Sequence, residues 1–232
     1  MLGGKVLHDQ RKMFIAYLSA ALLIVLGAAG VWIFEHDNPL TLGTLPLGQQ
    51  LQAALFQSVT TRTAGFATVP QENLRNPTAL LSLLLMFIGG SPVGTAGGVK
   101  TVTVVVLATS ALAAIRNKRD TVLFHRTVPR QAVAKAVAVT GMSFAICFLS
   151  TLLLSAAADA NALDILYEAV SATATVGLTR GLTPTLSAWG KLIIIVTMYL
   201  GRVGPISLAI VFGTRRQSEN LIKEPTEEIS VG

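Results

Sequence analysis

Two short segments, Thr63-Ala64-Gly65-Phe66 and Thr175-Val176-Gly177-Leu178, carry hydroxyl, small apolar, glycine and hydrophobic residues in the same order. Held extended, such a segment points successive backbone carbonyls at one axis, where they replace the hydration shell of a K⁺ ion. The glycine is needed because its φ reaches values barred to residues with a Cβ. Thr and Gly also suit ordinary connecting turns, but here the pair recurs with its surroundings. Gly65 precedes Met86 by 21 residues and Gly177 precedes Met198 by 21, an offset of 112 at both landmarks. From these methionines run MFIGGSPVG and MYLGRVGP, each reading Met, aromatic, aliphatic, Gly. Upstream, FQSVTTRTAGF and YEAVSATATVGL match with one extra residue before the second Thr.

A further glycine-rich stretch, MFIGGSPVGTAGGVKT (86–101), suggests phosphate chemistry. A nucleotide phosphate loop needs Gly immediately before its Lys, and that position is Val99. The pattern therefore fails, and the glycines require another reason.

Composition supplies the setting for both features. The chain has 232 residues, 52% hydrophobic and 13% charged, against about 25% charged in a soluble domain. Met13–Phe34 and Ala136–Ala157 run uncharged for 22 residues each, enough to cross a hydrocarbon core of ~30 Å as helices. Leu192–Gly213 is interrupted only by Arg202, and Thr78–Ile115 only by Lys100. An integral, all-α membrane protein is expected. The first span is longer than the apolar core of a signal peptide, and no small-residue cleavage site precedes Glu35. Cys147 is the one cysteine and lies within a span, which excludes a disulfide framework.

The net charge of +6 is unevenly placed. Twelve of the eighteen Lys and Arg lie before the first span, between residues 116 and 135, or after the last span, while 35–48 and 158–164 contain none. By the positive-inside rule both termini and the central linker are cytoplasmic, so the basic charge orients the chain and implies no nucleic acid. Thr78–Ile115 as one helix would measure roughly 57 Å, so it must break, at Gly89, Gly90, Pro92, Gly94, Gly97 and Gly98. The expected organisation is a pore unit at 1–115 (outer helix 13–34, re-entrant helix and filter 48–70, broken inner helix 78–115). A cytoplasmic linker follows at 116–135, then a second unit at 136–214 (outer helix 136–157, re-entrant helix and filter 162–184, inner helix 190–213) and a tail at 215–232. Irregular backbone at membrane depth is tolerated only inside protein or along a watery path, which suits a re-entrant filter.

FQSVTTRTAGF, GGSPVGTAGGVKT, TATVGLTRGLTP and GRVGP together resemble the Trk/Ktr/HKT superfamily of potassium transporters, specifically its KtrB/TrkH-type pore subunits. The likeness runs from about Lys5 to Phe212. It implies four units around a pseudo-fourfold pore, of which this chain matches the third and fourth, and therefore an N-terminal half with two further units. It also implies K⁺ uptake across the cytoplasmic membrane, a homodimer within the lipid, and a cytoplasmic RCK-type regulatory subunit (KtrA/TrkA type). Any nucleotide would bind that partner, and no cofactor is expected in this chain.

The resemblance assigns roles residue by residue. Backbone carbonyls of Thr63, Ala64, Gly65, Phe66, Thr175, Val176, Gly177 and Leu178 would hold K⁺. Gly89, Gly90, Gly94, Gly97 and Gly98 would form an intramembrane gate, since glycines allow several backbone states of similar energy; Lys100, which ends the loop, either binds at that gate or meets polar atoms in the cavity. Arg202, opposite Gly90 in the repeat, would oppose K⁺ passage. A charge at helix-centre depth costs ~2.5–3.5 kcal/mol on insertion scales, and pairing with a carboxylate or carbonyls is the other reading of it. Apart from the resemblance, an Arg projecting into the ion path would repel cations, so Arg62 is expected behind the filter, bracing it through a carboxylate or backbone carbonyls, with Glu168 one candidate. Na⁺ or mixed Na⁺/K⁺ uptake, and a non-conducting scaffold or regulatory half-protein, remain as alternatives. His8, His36 and His125 have no metal-ligand spacing, and no nucleophile–base constellation points to an enzyme.

Overall fold

The computed structural model describes residues 2–90, 97–118, 120–123 and 126–203. Gly94 of the expected gate, the end of the expected last inner helix and the tail at 215–232 lie outside the described residues. Helix α1 (Leu2–Glu35) is followed by α2 (Leu47–Thr60), a short 3-10 turn (Gln71–Asn73), α3 (Asn76–Phe87) and α4 (Thr101–Ile115). A minimal antiparallel pair, β1 (Val122–Leu123) with β2 (Arg126–Thr127), then leads into α5 (Arg130–Ala157), α6 (Ala162–Thr173), α7 (Leu182–Thr185) and α8 (Ala188–Val203). Among the described residues the architecture is all-α apart from these four strand residues.

Local chemistry sets the helix ends. Pro77 sits in the first turn of α3, where its missing N–H costs nothing. The Asn161 side chain accepts from Leu163 N at 3.1 Å and caps α6, with Asp164 in the favourable first turn. Helix α5 begins at Arg130, directly after Pro129, so its first turns lie within the segment expected as linker. Their Arg130 and Lys135 extend the helix beyond its uncharged stretch.

Among the described residues two helices are long and apolar enough to cross a membrane: Tyr17–Glu35 in α1, with mean hydropathy 2.2, and α5, with mean hydropathy 2.1. Both expose large apolar side chains, including Leu22, Val25, Phe144 and Phe148, as a lipid-facing surface requires. The short α6 lies at the centre. Its Tyr167 and Val170 pack with Ala79, Leu83 and Met86 of α3 and Cys147 of α5, and its Ile165, Ala169 and Ala172 pack with Leu154 of α5 and Ile194 of α8. Helix α2 is less enclosed. Ala54 joins a smaller core with Val31, Leu42, Val69 and Leu74, while Leu51, Leu55, Phe56 and Val59 are exposed.

Candidate functional site

Each expected filter segment leaves the C-terminal end of a short helix through the same kind of turn. After α2, Gly65 N donates to the Thr60 carbonyl at 3.2 Å and Phe66 N donates to Thr60 Oγ1 at 2.9 Å. After α6, Val176 N donates to the Ser171 carbonyl at 2.9 Å and Gly177 N to Ser171 Oγ at 3.1 Å. A hydroxyl at the helix end thus holds the amide six residues on in both places. Thr63 and Gly65 have φ of 64° and 74°, and Thr175 and Gly177 have φ of 56° and 94°, so the same two steps enter the left-handed region. The hydroxyl anchors are 111 residues apart (171 − 60) and the left-handed pairs 112 apart (175 − 63). The extra residue of the second copy is absorbed between anchor and Thr.

The two segments meet. A Cβ on Gly65 would overlap the carbonyl oxygen of Val176, so only glycine permits this approach. Behind the second segment, the side chains of Val176 and Leu178 are buried with Tyr167 and Ala174. Gly177 is exposed, and Phe66 is 71% exposed, so the first segment presents its ring on an uncovered face.

The expected gate segment also reaches this place. Ile88 and Val99 form a parallel bridge, with Gly89 N donating to Val99 O at 2.9 Å and Val99 N to Phe87 O at 3.1 Å. The chain leaving α3 therefore lies alongside the chain entering α4. Gly97 N donates to Thr175 Oγ1 at 3.1 Å, and a Cβ on Gly97 would overlap that hydroxyl oxygen. Gly90 accepts from Thr101 N at 3.4 Å, and Gly98 has a φ of 70°. Lys100 is half-buried at the N-terminus of α4, within electrostatic reach of Arg202. Arg202 is exposed in the last turn of α8, next to Gly201, which abuts the Thr173 carbonyl at the end of α6.

The structure does not bring Arg62 and Glu168 together as an ion pair. Glu168, 5% exposed, accepts from Thr179 Oγ1 at 2.8 Å and from Thr183 Oγ1. Its two oxygens are occupied by hydroxyls that follow the second segment, so the carboxylate ties that segment's exit to its own helix. Arg62 Nε and Nη2 are buried without a hydrogen-bond partner among the described residues.

Several buried polar residues escaped the sequence reading. Glu35, fully buried, accepts from Asn38 Nδ2 at 2.6 Å, Thr41 Oγ1 at 2.6 Å and Arg75 N at 2.8 Å. Gln57 and Gln71 exchange two side-chain hydrogen bonds, of 2.7 and 3.1 Å, and Tyr167 donates to Gln71 Oε1 at 3.1 Å. Arg180 donates through Nη1 to the carbonyls of Gln71 and Leu74, both at 3.1 Å, and through Nε to Asp164 at 2.7 Å. The one available signal was buried polarity within apolar helices, which sequence does not separate from a polar surface. No group of three or more His, Cys, Asp or Glu suited to a metal occurs among the described residues.

Comparison with known proteins gives a consistent result. Residues 11–224 match the family described as TrkH, cation transport protein. The chain is 43% identical over 202 residues to Ktr system potassium uptake protein B of Bacillus subtilis (strain 168), covering 87% of this chain and 45% of that protein. It is 38% identical to the protein of the same name from Vibrio alginolyticus, covering 99% of this chain and 50% of the other. Identity is 33% to potassium/sodium uptake protein NtpJ of Enterococcus hirae, over 93% of this chain and 49% of the other. The chain thus spans about half the length of these curated relatives. Its fold is similar to the crystal structure of the potassium transporter TrkH from Vibrio parahaemolyticus, with a TM-score of 0.69 at 19% identity over 86% of this chain and 43% of that one.

Proposed function

The chain belongs to the TrkH family of cation transport proteins, membrane transporters rather than enzymes, and from that premise we propose that it forms two of the four units of a K⁺ uptake pore. Each unit consists of an outer helix (α1 or α5), a re-entrant helix (α2 or α6) with its filter segment, and an inner helix (α3–α4 or α8). Backbone carbonyls of 63–66 and 175–178 line half of the filter. The other half comes from N-terminal units, since the chain is about half the length of its relatives. The observation that carries this reading is the convergence of Gly65 on the Val176 carbonyl, with matched left-handed Thr and Gly residues on both sides.

The glycine segment Gly89–Lys100 acts as the gate. Its contact with Thr175 supports a position directly against the filter. Lys100 and Arg202 place positive charge beside it that opposes K⁺ passage. The pore lies in the cytoplasmic membrane with both ends of this chain inside, works as a homodimer, and is regulated by a nucleotide-binding RCK-type subunit docked on the linker and tail. Mixed Na⁺/K⁺ uptake is the second reading, favoured by the similarity to the potassium/sodium uptake protein of Enterococcus hirae.

The test is complementation of a K⁺-requiring strain by this chain with and without N-terminal pore units. Growth at low K⁺ only with both parts is the expected result. No growth despite normal membrane insertion of both would favour a non-conducting scaffold. Na⁺ accumulation alongside K⁺ would favour the mixed reading.

A further inference from the structure

The TATVGLTRGLTP motif contains a residue the pore reading leaves unused. Arg180 lies just beyond the second filter segment, with its side chain 9% exposed. Instead of meeting solvent, it crosses to the other half of the chain. There Nη1 donates at 3.1 Å to the carbonyls of both Gln71 and Leu74, the turn that joins the first filter segment to α3. Its Nε is held by Asp164 at 2.7 Å, in the first turn of α6. The guanidinium also lies 6.0 Å from the ring centre of Tyr167. One side chain therefore touches the start of the second re-entrant helix, the exit of the second filter segment and the exit of the first.

A second link runs parallel to it. Tyr167, fully buried, donates to Gln71 Oε1 at 3.1 Å. Gln71 exchanges hydrogen bonds with Gln57 of α2 and also donates to Val69 O at 2.7 Å. Gln57 and Gln71 are 1% and 2% exposed. Helices α2 and α6 are thereby joined through one amide. The turn itself has little freedom left, since Asn73 O accepts from Asn38 at 3.1 Å and Arg75 N donates to Glu35 at 2.8 Å.

We propose that Arg180 and Tyr167 are positioning residues that fix the spacing between the two filter segments and so set how well the pore tells K⁺ from Na⁺. The inference rests on the filter reading given above. Carbonyl coordination discriminates ions through ligand number and spacing, and spacing held only by apolar packing slides more easily than spacing held by directional, charge-assisted bonds. A planar guanidinium can serve two carbonyls and a carboxylate at once, whereas an ammonium is a point charge that cannot match this fork.

The test uses the complete pore, with its N-terminal units, as wild type, Arg180→Lys and Tyr167→Phe. K⁺ and Na⁺ uptake are measured with membrane abundance, and amide hydrogen exchange is followed in the 66–75 segment. Arg180→Lys should lower the K⁺/Na⁺ uptake ratio about tenfold and Tyr167→Phe about threefold, as expected for lost directional bonds. The half-saturating K⁺ concentration should rise, the maximal rate per molecule should hold within about twofold, and exchange in 66–75 should speed up. A ratio and an exchange rate equal to wild type in both variants would overturn the proposal, as would a loss accounted for entirely by abundance. Where Arg180→Lys fails to accumulate, Tyr167→Phe, which removes a single oxygen, decides by the same two readouts. If the wild-type pore carries no K⁺, the filter reading fails. Hydrogen exchange then decides whether the bridge exists: acceleration supports it and unchanged protection removes it.

Discussion

The amide of Gly97 donates to the hydroxyl of Thr175 at 3.1 Å, across 78 residues of sequence. The chain entering α4 thus rests, at Gly97, on the backbone turn that follows α6, the proposed second filter segment. Movement of one requires this bond to be exchanged, so in the proposed pore it would couple gating to conduction.

Gly97→Ala should disturb that contact directly. The new Cβ would overlap Thr175 Oγ1 and press on the Ala174 carbonyl at 2.8 Å, forcing segment and filter apart. In the complete pore we expect K⁺ flux per molecule to rise several-fold, measured as Rb⁺ uptake normalised to membrane abundance. Unchanged flux would show that the segment does not obstruct the path.

Arg202→Ala should also raise conductance. Removing a fixed cation from the mouth of a cation path lowers its barrier by about 1 kcal/mol at an effective dielectric near 80 and by more where water is scarce, so an increase of fivefold or more is expected. Reduced flux with intact assembly would instead assign Arg202 a structural pairing role.

The two filter glycines should differ in sensitivity. At Gly177, with φ 94° and no atom within 4 Å of an added Cβ, alanine meets only a conformational penalty of roughly 1–2 kcal/mol. At Gly65 the penalty is joined by a collision with the Val176 carbonyl. Gly65→Ala should abolish K⁺-selective uptake, while Gly177→Ala retains a reduced, less selective one. Growth across a K⁺ series with added Na⁺ separates these outcomes.

A double-mutant cycle on Arg62 and Glu168 should give a coupling below about 0.5 kcal/mol. Glu168 with Thr183 should couple by about 1–2 kcal/mol, because removing either partner leaves a buried polar group unsatisfied. Thermal unfolding in detergent, read for Arg62→Gln, Glu168→Gln, Thr183→Val and the two double variants that include Glu168→Gln, provides the values.

Glu35→Gln should destabilise the chain by roughly 2–3 kcal/mol, since a buried carboxylate accepting three hydrogen bonds is replaced by an amide that brings unwanted donors. Arg75→Gln removes the exposed pair with Asp37, 44% and 59% exposed, and an exposed hydrogen bond to the Phe34 carbonyl at 3.3 Å, and should cost at most about 1 kcal/mol. The same melting experiment compares the two.

Much of the helix order could be read from the sequence, and the reasons are specific. Uncharged stretches such as Met13–Phe34 announce membrane helices because unpaired charge is excluded from lipid. A stretch as long as Thr78–Ile115 cannot remain one helix in a bilayer. Gly65 and Gly177 recur at a fixed offset where the backbone is left-handed, a conformation that favours glycine. Long-range polar contacts leave no such mark. Tyr167 and Gln71 are separated by 96 residues and Arg180 and Gln71 by 109, and no spacing rule links them. Charge alone would pair Arg62 with Glu168. The hydroxyls of Thr179 and Thr183 lie closer along the chain and take the carboxylate first.

Thr63 and Thr175 are β-branched residues held at φ of 64° and 56°, a conformation that costs such side chains of order 1–3 kcal/mol each. The folded chain therefore stores energy at the two places where an ion would be coordinated. Anything that binds the coordinating geometry and not its relaxed alternative shifts the balance by its own binding free energy. If these turns hold K⁺ as proposed, permeant ions would act as ligands of the conformation as well as cargo, and depletion of K⁺ would let the turns slacken towards a state that coordinates nothing. On the proposed filter reading, such a pore would close from ion starvation at its narrowest point.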